Sequence, residues 1–266
     1  MKPKVAIQGI KASFHHKACS EFFNEHEVVE CTTFKKTCEA VRENKANYAV
    51  LAIENAIVGA LLPNYNLIRD FNLRVIGEVY LPIRLHLMGL KGSSIKTCER
   101  VISHPIAIRQ CQDFLDTLGN EVEVVEKFDT AGCAKLIADK QLSNTFAIAN
   151  EEAAQLYGLE ILERSVETNK VNFTRFLILQ TEETYSPETA NKATVSFHVG
   201  DGVGSLANVL NIFSEHKINL TKIQSTPVLG KPHKDNFFID MIWDKQQDFD
   251  LALAQLTRHV YNLTIL

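Results

Sequence analysis

The chain has 266 residues, 45% of them hydrophobic and 23% charged, with a formal net charge of -4. These values suit a protein with a substantial buried core, in one large α/β domain with a small companion or in two ordinary domains. They leave no basic footprint for nucleic acid or an anionic membrane, so an anionic small ligand would rely on local donors and helix N-termini. The start "MKPKVAIQGIKASF" lacks the long apolar core and cleavage pattern of a secretory signal, and no apolar run approaches membrane-spanning length. Six scattered cysteines without a CxxC pair then read as reduced thiols in a cytoplasmic protein, and His15–His16 lacks the neighbours of a metal site.

The predicted elements alternate along the first two-thirds. "KVAIQG" reads as a strand, 13–24 as a helix, "EVVECT" as a strand, 34–44 as a helix and "YAVLAIEN" as a strand. A short helix over 63–71 precedes the β-rich run 73–90, too long for one ordinary strand and interrupted by Pro82. After it come "RVISHP", a helix over 106–118, "VEVVEKF", a helix over 130–140, "TFAIAN", a helix through Leu156 and "LEILERSV". Such alternation predicts parallel or mixed sheets covered by helices. The long run reads as a strand leaving one sheet for another. It implies two lobes, with residues from about 78 to 171 inserted into a first lobe that closes with 172–181. A cleft between the lobes is the expected ligand site.

The polar stretch 182–192 reads as a linker. Beyond it, 193–266 repeats a different order: strand, helix 205–216, strand "INLTKIQSTPV", strand "FFIDMIW", helix 247–259 and strand "LTIL". That is βαββαβ, a ferredoxin-like unit.

Ligands of open α/β sheets bind beyond strand C-termini, which directs attention to Glu54 and Asn55, Ser103 and His104, Asp129 and Thr130, and Asn150. Gln110 lies further along the helix after His104. Ser103, Asp129 and Asn150 are also good helix N-caps, the plainer reading of each alone. "QGIKASFHH" and "GDGVGS" are glycine-containing turns without a dinucleotide fingerprint or a P-loop lysine. "NKVNFTRFLIL" places Asn172, Thr174 and Arg175 at the mouth of a buried strand, where a core strand has no need of them.

The ordered set "AIENAIVGAL", "SHPIAIRQC", "DTAG", "AIANEEAAQLYGL" and "NFTRF" resembles prephenate dehydratase, and "GSLANVLNIFSEHKINLTKIQSTPV" resembles the ACT regulatory domain joined to it. The resemblance covers nearly the whole chain. It implies a two-lobed catalytic domain like type 2 periplasmic binding proteins, spanning 1–181, and an ACT domain over 193–266. It also implies conversion of prephenate to phenylpyruvate, carbon dioxide and water, without cofactor or metal. Its motifs imply catalytic roles for Thr174, Arg175, Glu54 and Asn55, and substrate contacts from Ser103, Gln110, Asn172 and Ser13. They further imply an allosteric L-phenylalanine site at Gly204, Ser205, Leu206, Asn219 and Leu220, in a homodimer or homotetramer. Arogenate dehydration and a non-catalytic small-molecule sensor are the competing expectations. Three departures stand out: Ala12 and Ala56 replace the family's usual glycine and serine, and Gln224-Ser225-Thr226-Pro227 replaces Glu-Ser-Arg-Pro. The last removes two charges from the region tied to the phenylalanine response.

Overall fold

The computed structural model describes residues 2–181, 190–228, 230–231 and 233–266. The first part of the expected linker, 182–189, lies outside the described residues. The elements are β1 (Lys4–Gln8), α1 (Phe14–Phe22), β2 (Glu27–Cys31), α2 (Phe34–Arg42), β3 (Tyr48–Asn55), β4 (Gly59–Ala60), α3 (Leu62–Asp70) and β5 (Leu73–Pro82). There follow β6 (His86–Gly89), a 3₁₀ turn (Ile95–Thr97), β7 (Arg100–Ser103), α4 (Pro105–Gln110), α5 (Gln112–Thr117), β8 (Glu123–Glu126) and α6 (Thr130–Lys140). Then come β9 (Thr145–Ala149), α7 (Glu151–Tyr157), β10 (Glu160–Glu163) and β11 (Phe173–Thr181). The tail holds β12 (Lys192–Val199), α8 (Ser205–Glu215), β13 (Asn219–Pro227), β14 (Asp235–Ile242), α9 (Gln246–Leu256) and β15 (Val260–Ile265).

Three sheets organise these elements. The first runs β2-β1-β3-β11-β5, with β4 on β3; the second runs β10-β6-β9-β7-β8; the third runs β13-β14-β12-β15. By compactness the chain divides into one unit of 1–64 with 77–179, and a second of 65–76 with 180–266.

In the first sheet β1 pairs in parallel with β2 and β3, while β11 returns antiparallel on β3. The continuous apolar runs at Ala49–Ile53 and Phe176–Leu179 are buried, as strands covered on both faces must be. Each large side chain there, Leu51, Ile53, Phe176 and Ile178 among them, contributes about 1.5–3 kcal/mol by leaving water. The second sheet centres on β9, "TFAIA", buried throughout, with β7 parallel and β6 antiparallel to it. The run 73–90 does change sheets, but at Ile83–Leu85 rather than near Gly77: β5 stays in the first sheet through Pro82, and β6 begins the second at His86. Proline ends the first strand because it offers no N–H to a ladder. The helix expected over 106–118 breaks at Cys111 into α4 and α5.

The tail has the expected ferredoxin-like order, β12-α8-β13-β14-α9-β15, on one antiparallel sheet. Val209, Ile212 and Phe213 of α8 and Phe249, Ala252 and Leu256 of α9 bury against Val195, Phe197, Ile239 and Met241 of that sheet. Among the described residues no helix is long and apolar enough to cross a membrane.

Candidate active site

In the first unit, strand ends and helix starts of both lobes meet around a cavity of about 500 Å³. Gln8 ends β1 and Asn55 ends β3; Thr32 and Thr33 follow β2; Ile83 and Leu85 lie where the chain changes sheets. From the second lobe come His104, Gln110, Asp129 and Thr130. Ser13, Thr33 and Asp129 are N-caps of α1, α2 and α6, each accepting an N–H from its own first turn. Several helix N-termini therefore present partial positive charge to one space. Among the described residues no lysine or arginine lines it.

Asn55 is the hub of the polar wall. Its Oδ1 accepts the backbone N–H groups of Ile57 and Val58, each at 3.0 Å. Backbone amides can only donate, so the amide orientation is settled and Nδ2 faces the other way. Nδ2 donates to Asn172 Oδ1 and to Thr174 Oγ1, both at 2.9 Å, and to the Phe173 carbonyl at 3.3 Å. A lone pair of the Thr174 hydroxyl is thereby occupied. Its proton is left to point elsewhere, and Thr174 lines the cavity.

Other expected site residues have different places. Ser13 and Gln110 line the cavity, whereas Glu54, Ser103, Asn172 and Arg175 do not. Arg175 sits between cavity-lining Thr174 and Phe176, so strand alternation turns it away. Its guanidinium is buried, Nε donates to Glu78 Oε2 at 2.7 Å, and it lies 5.8 Å from the centre of the Tyr80 ring. The guanidinium is thus engaged with Glu78 and does not line the cavity. Glu54 stands opposite Arg175 in the β3–β11 register. Ser103 is not the cap of α4. Its hydroxyl donates to the Ile148 carbonyl at 2.6 Å across the second sheet, and His104 caps instead through Nδ1. Asn172 is wholly buried behind Asn55.

The β3–β11 register slips between Arg175 and Phe176, and the backbone at the slip is held by side chains. Ala52 gives its N–H to His15 Nε2 at 3.3 Å, and its carbonyl accepts from Asn64 Nδ2 at 2.6 Å. His15 was noted in the sequence only as an unlikely metal ligand, yet it lines the cavity. Burial pushes its pKa down to about 4. His104 is also lowered by burial, while burial raises the Asp129 carboxyl against the opposing hydrogen bond from Gly132. Ala12, which departs from the glycine of the resembled motif, holds a left-handed φ of 64° and donates its N–H to His16 Nδ1 at 3.0 Å. Among the described residues no group of three or more His, Cys, Asp or Glu side chains could hold a metal.

The family model for prephenate dehydratase matches residues 5–184, and that for the ACT domain matches 193–259. The chain belongs to the prephenate dehydratase family. Arogenate dehydratase/prephenate dehydratase 2 of Arabidopsis thaliana is 38% identical over 86% of this chain, which spans 60% of that relative's length. The solved prephenate dehydratase of Arthrobacter aurescens in complex with L-Phe is 25% identical, with a TM-score of 0.83 over 99% of this chain and 88% of that one. GqqA, described as a novel type of quorum quenching acylase, is 28% identical, with a TM-score of 0.89 over 99% of this chain and 96% of its own.

A second cavity, of about 410 Å³, lies in the second unit at the start of α8. Gly204, Ser205 and Leu206 line it, with Asp201, His233 and Lys234. Gly204 caps the helix in a left-handed conformation, φ 81°, and the Ser205 hydroxyl donates to the Gly202 carbonyl at 2.8 Å. Asn219 and Leu220 begin β13, an edge strand of the sheet, and do not line this cavity.

Proposed function

We propose that this member of the prephenate dehydratase family converts prephenate to phenylpyruvate, carbon dioxide and water. The observation that carries this reading is the Asn55–Thr174 hydrogen bond at the cavity wall, which leaves the Thr174 hydroxyl as a donor. As the ring carboxylate leaves as carbon dioxide, its bonding electrons aromatise the ring and expel the hydroxyl, which takes up one proton supplied by solvent to become water. Thr174 donates to the departing oxygen as charge builds there, the stage at which a fixed donor lowers the barrier most. Two substrate carboxylates in a cavity without lysine or arginine are met by the N-terminal amides of α1, α2 and α6, with Ser13 and Gln110 as neutral donors. Arg175, Glu54, Asn172 and Ser103 act by holding β11, β3 and β7 in place.

Residues 1–181 form the catalytic domain in this reading, 182–192 the linker and 193–266 the regulatory domain. L-phenylalanine, bound in the Arthrobacter relative, is the proposed inhibitor at Gly204, Ser205 and Leu206. Asn219 and Leu220 contribute from the sheet edge of a homodimer or homotetramer. The free cysteines suit a cytoplasmic setting.

Turnover of the full chain tests the reading, with prephenate and arogenate supplied separately and phenylpyruvate and phenylalanine measured. Prephenate turnover supports it, and preference for arogenate moves the substrate assignment to the amino acid. Turnover of neither sinks the dehydratase reading. The likeness to GqqA makes acylase activity the third one to assay, although among the described residues no serine or threonine hydroxyl lining the cavity is hydrogen-bonded to a histidine side chain.

A further inference from the structure

His15 is 9% exposed and lines the active-site cavity two residues into its helix. Its ring meets Phe176 edge-on, with centroids 5.0 Å apart and planes at 84°, and lies 5.5 Å from the centroid of Phe34. These contacts fix the ring plane. The bond from Ala52 N–H fixes its rotation and its tautomer, because a nitrogen that accepts an N–H carries no proton. The single proton of the neutral ring is therefore on Nδ1. That atom makes no hydrogen bond among the described residues, yet it is not among the sealed polar atoms without a partner. His15 lines the cavity, and Nδ1 is the ring nitrogen left without a partner among the described residues.

We propose that His15 is a substrate-binding residue, an imidazole whose Nδ1–H donates to a carboxylate or keto oxygen of the bound 2-keto acid. A cavity that must bind a dianion without a lysine or arginine needs such donors. A neutral ring supplies one without a proton that can be lost at working pH. The other titratable groups lining the cavity are His104 and Asp129, and burial alone accounts for His15's low proton affinity. The same fixed donor cannot receive an ammonium, so a 2-amino acid oriented with its nitrogen toward His15 is disfavoured.

This inference rests on the dehydratase reading, and wild-type turnover of prephenate tests that reading separately. Nitrogen-15 shifts of His15 in the full chain, assigned by comparison with His15→Gln, report tautomer and charge. At neutral pH they should show an unprotonated Nε2 and a protonated Nδ1. Phenylpyruvate should move the Nδ1 signal, while phenylacetate, which lacks the keto group, separates the sources: an equal response assigns the bond to the carboxylate, a response to phenylpyruvate alone to the keto oxygen. His15→Phe keeps the ring packing and removes the donor, and should lose about tenfold to a hundredfold in kcat/KM. His15→Gln supplies both an acceptor for Ala52 and a donor for the cavity, and should recover most of that loss. Should His15→Phe not fold, because Ala52 N–H is left bare, the glutamine variant and the nitrogen shifts decide alone. An imidazolium or Nε2–H form at neutral pH, or an Nδ1 signal unmoved by saturating phenylpyruvate, would overturn the proposal, as would a folded His15→Phe enzyme with native kinetics.

Discussion

Asn55→Asp is the sharpest perturbation of the active-site wall, because it replaces one amide nitrogen by oxygen and turns the donor to Thr174 into an acceptor. In the native protein Asn55 Nδ2 donates to Thr174 Oγ1 at 2.9 Å, and the threonine proton is free for the substrate. A carboxylate in the same place can only accept, so it draws the Thr174 proton to itself. Stability should change little. The oxygen that accepts Ile57 and Val58 N–H is retained and strengthened by charge, while Asn172, whose Nδ2 has no partner among the described residues, can flip its amide and donate. The Phe173 carbonyl loses its 3.3 Å contact, and burying a carboxylate adds a penalty, so the net cost is about 1–2 kcal/mol. That corresponds to a melting point lower by about 2–8 °C. Turnover should fall on the order of a hundredfold or more, the usual scale for a lost proton-donating group. The assay is kcat for phenylpyruvate formation beside a melting curve on the same sample. A folded Asn55→Asp enzyme with wild-type kcat would show that this bond does not direct the threonine proton.

Thr174→Ala should lower kcat on the order of a hundredfold or more with KM little changed, and Thr174→Ser, which still accepts from Asn55, should keep most activity; near-native turnover by the alanine variant removes Thr174 from its role. Arg175→Ala breaks the buried ion pair with Glu78 and should cost about 3 kcal/mol in urea unfolding, whereas a severe kcat loss at unchanged stability would return Arg175 to the chemistry. His15 links stability to pH: its folded pKa of about 4 lies below the ordinary 6.5, so the unfolded chain binds more protons between those values and stability falls as pH drops from 6.5 to 4. The loss is on the order of 3 kcal/mol and should vanish in His15→Gln; an unchanged slope in that variant rules the linkage out. Phenylalanine should bind and inhibit, but more weakly than in relatives carrying the charged Glu-Ser-Arg-Pro motif. Calorimetry without binding at millimolar phenylalanine rejects the sensor role, and binding without inhibition rejects only the coupling.

Much of this protein was legible from local chemistry. Helix α6 begins after Asp129 and runs to Lys140 as its apolar spacing and N-cap predict, and the tail's βαββαβ order follows from periods of 2 and 3.6 read in turn. Thr174 stood out because a polar group at the mouth of a buried strand needs a reason. Arg175 stood out equally, and its neighbour relation to Thr174 said nothing of its partner. Glu78 lies 97 residues away, and only the packing of β11 brings it within 2.7 Å. Ser103 looked like a helix cap until Ile148, 45 residues on, took its hydroxyl across the second sheet. His15 was silent for the same reason. Its meaning depends on Ala52 at a register slip and on two aromatic rings from other elements. Period and capping act within a turn or two of chain, so sequence alone determined most of the elements, their order and the family motifs, though not the break at Cys111. Hydrogen-bond direction, tautomer and the choice between cavity and core are set by atoms far apart in sequence, and only the tertiary structure decided them.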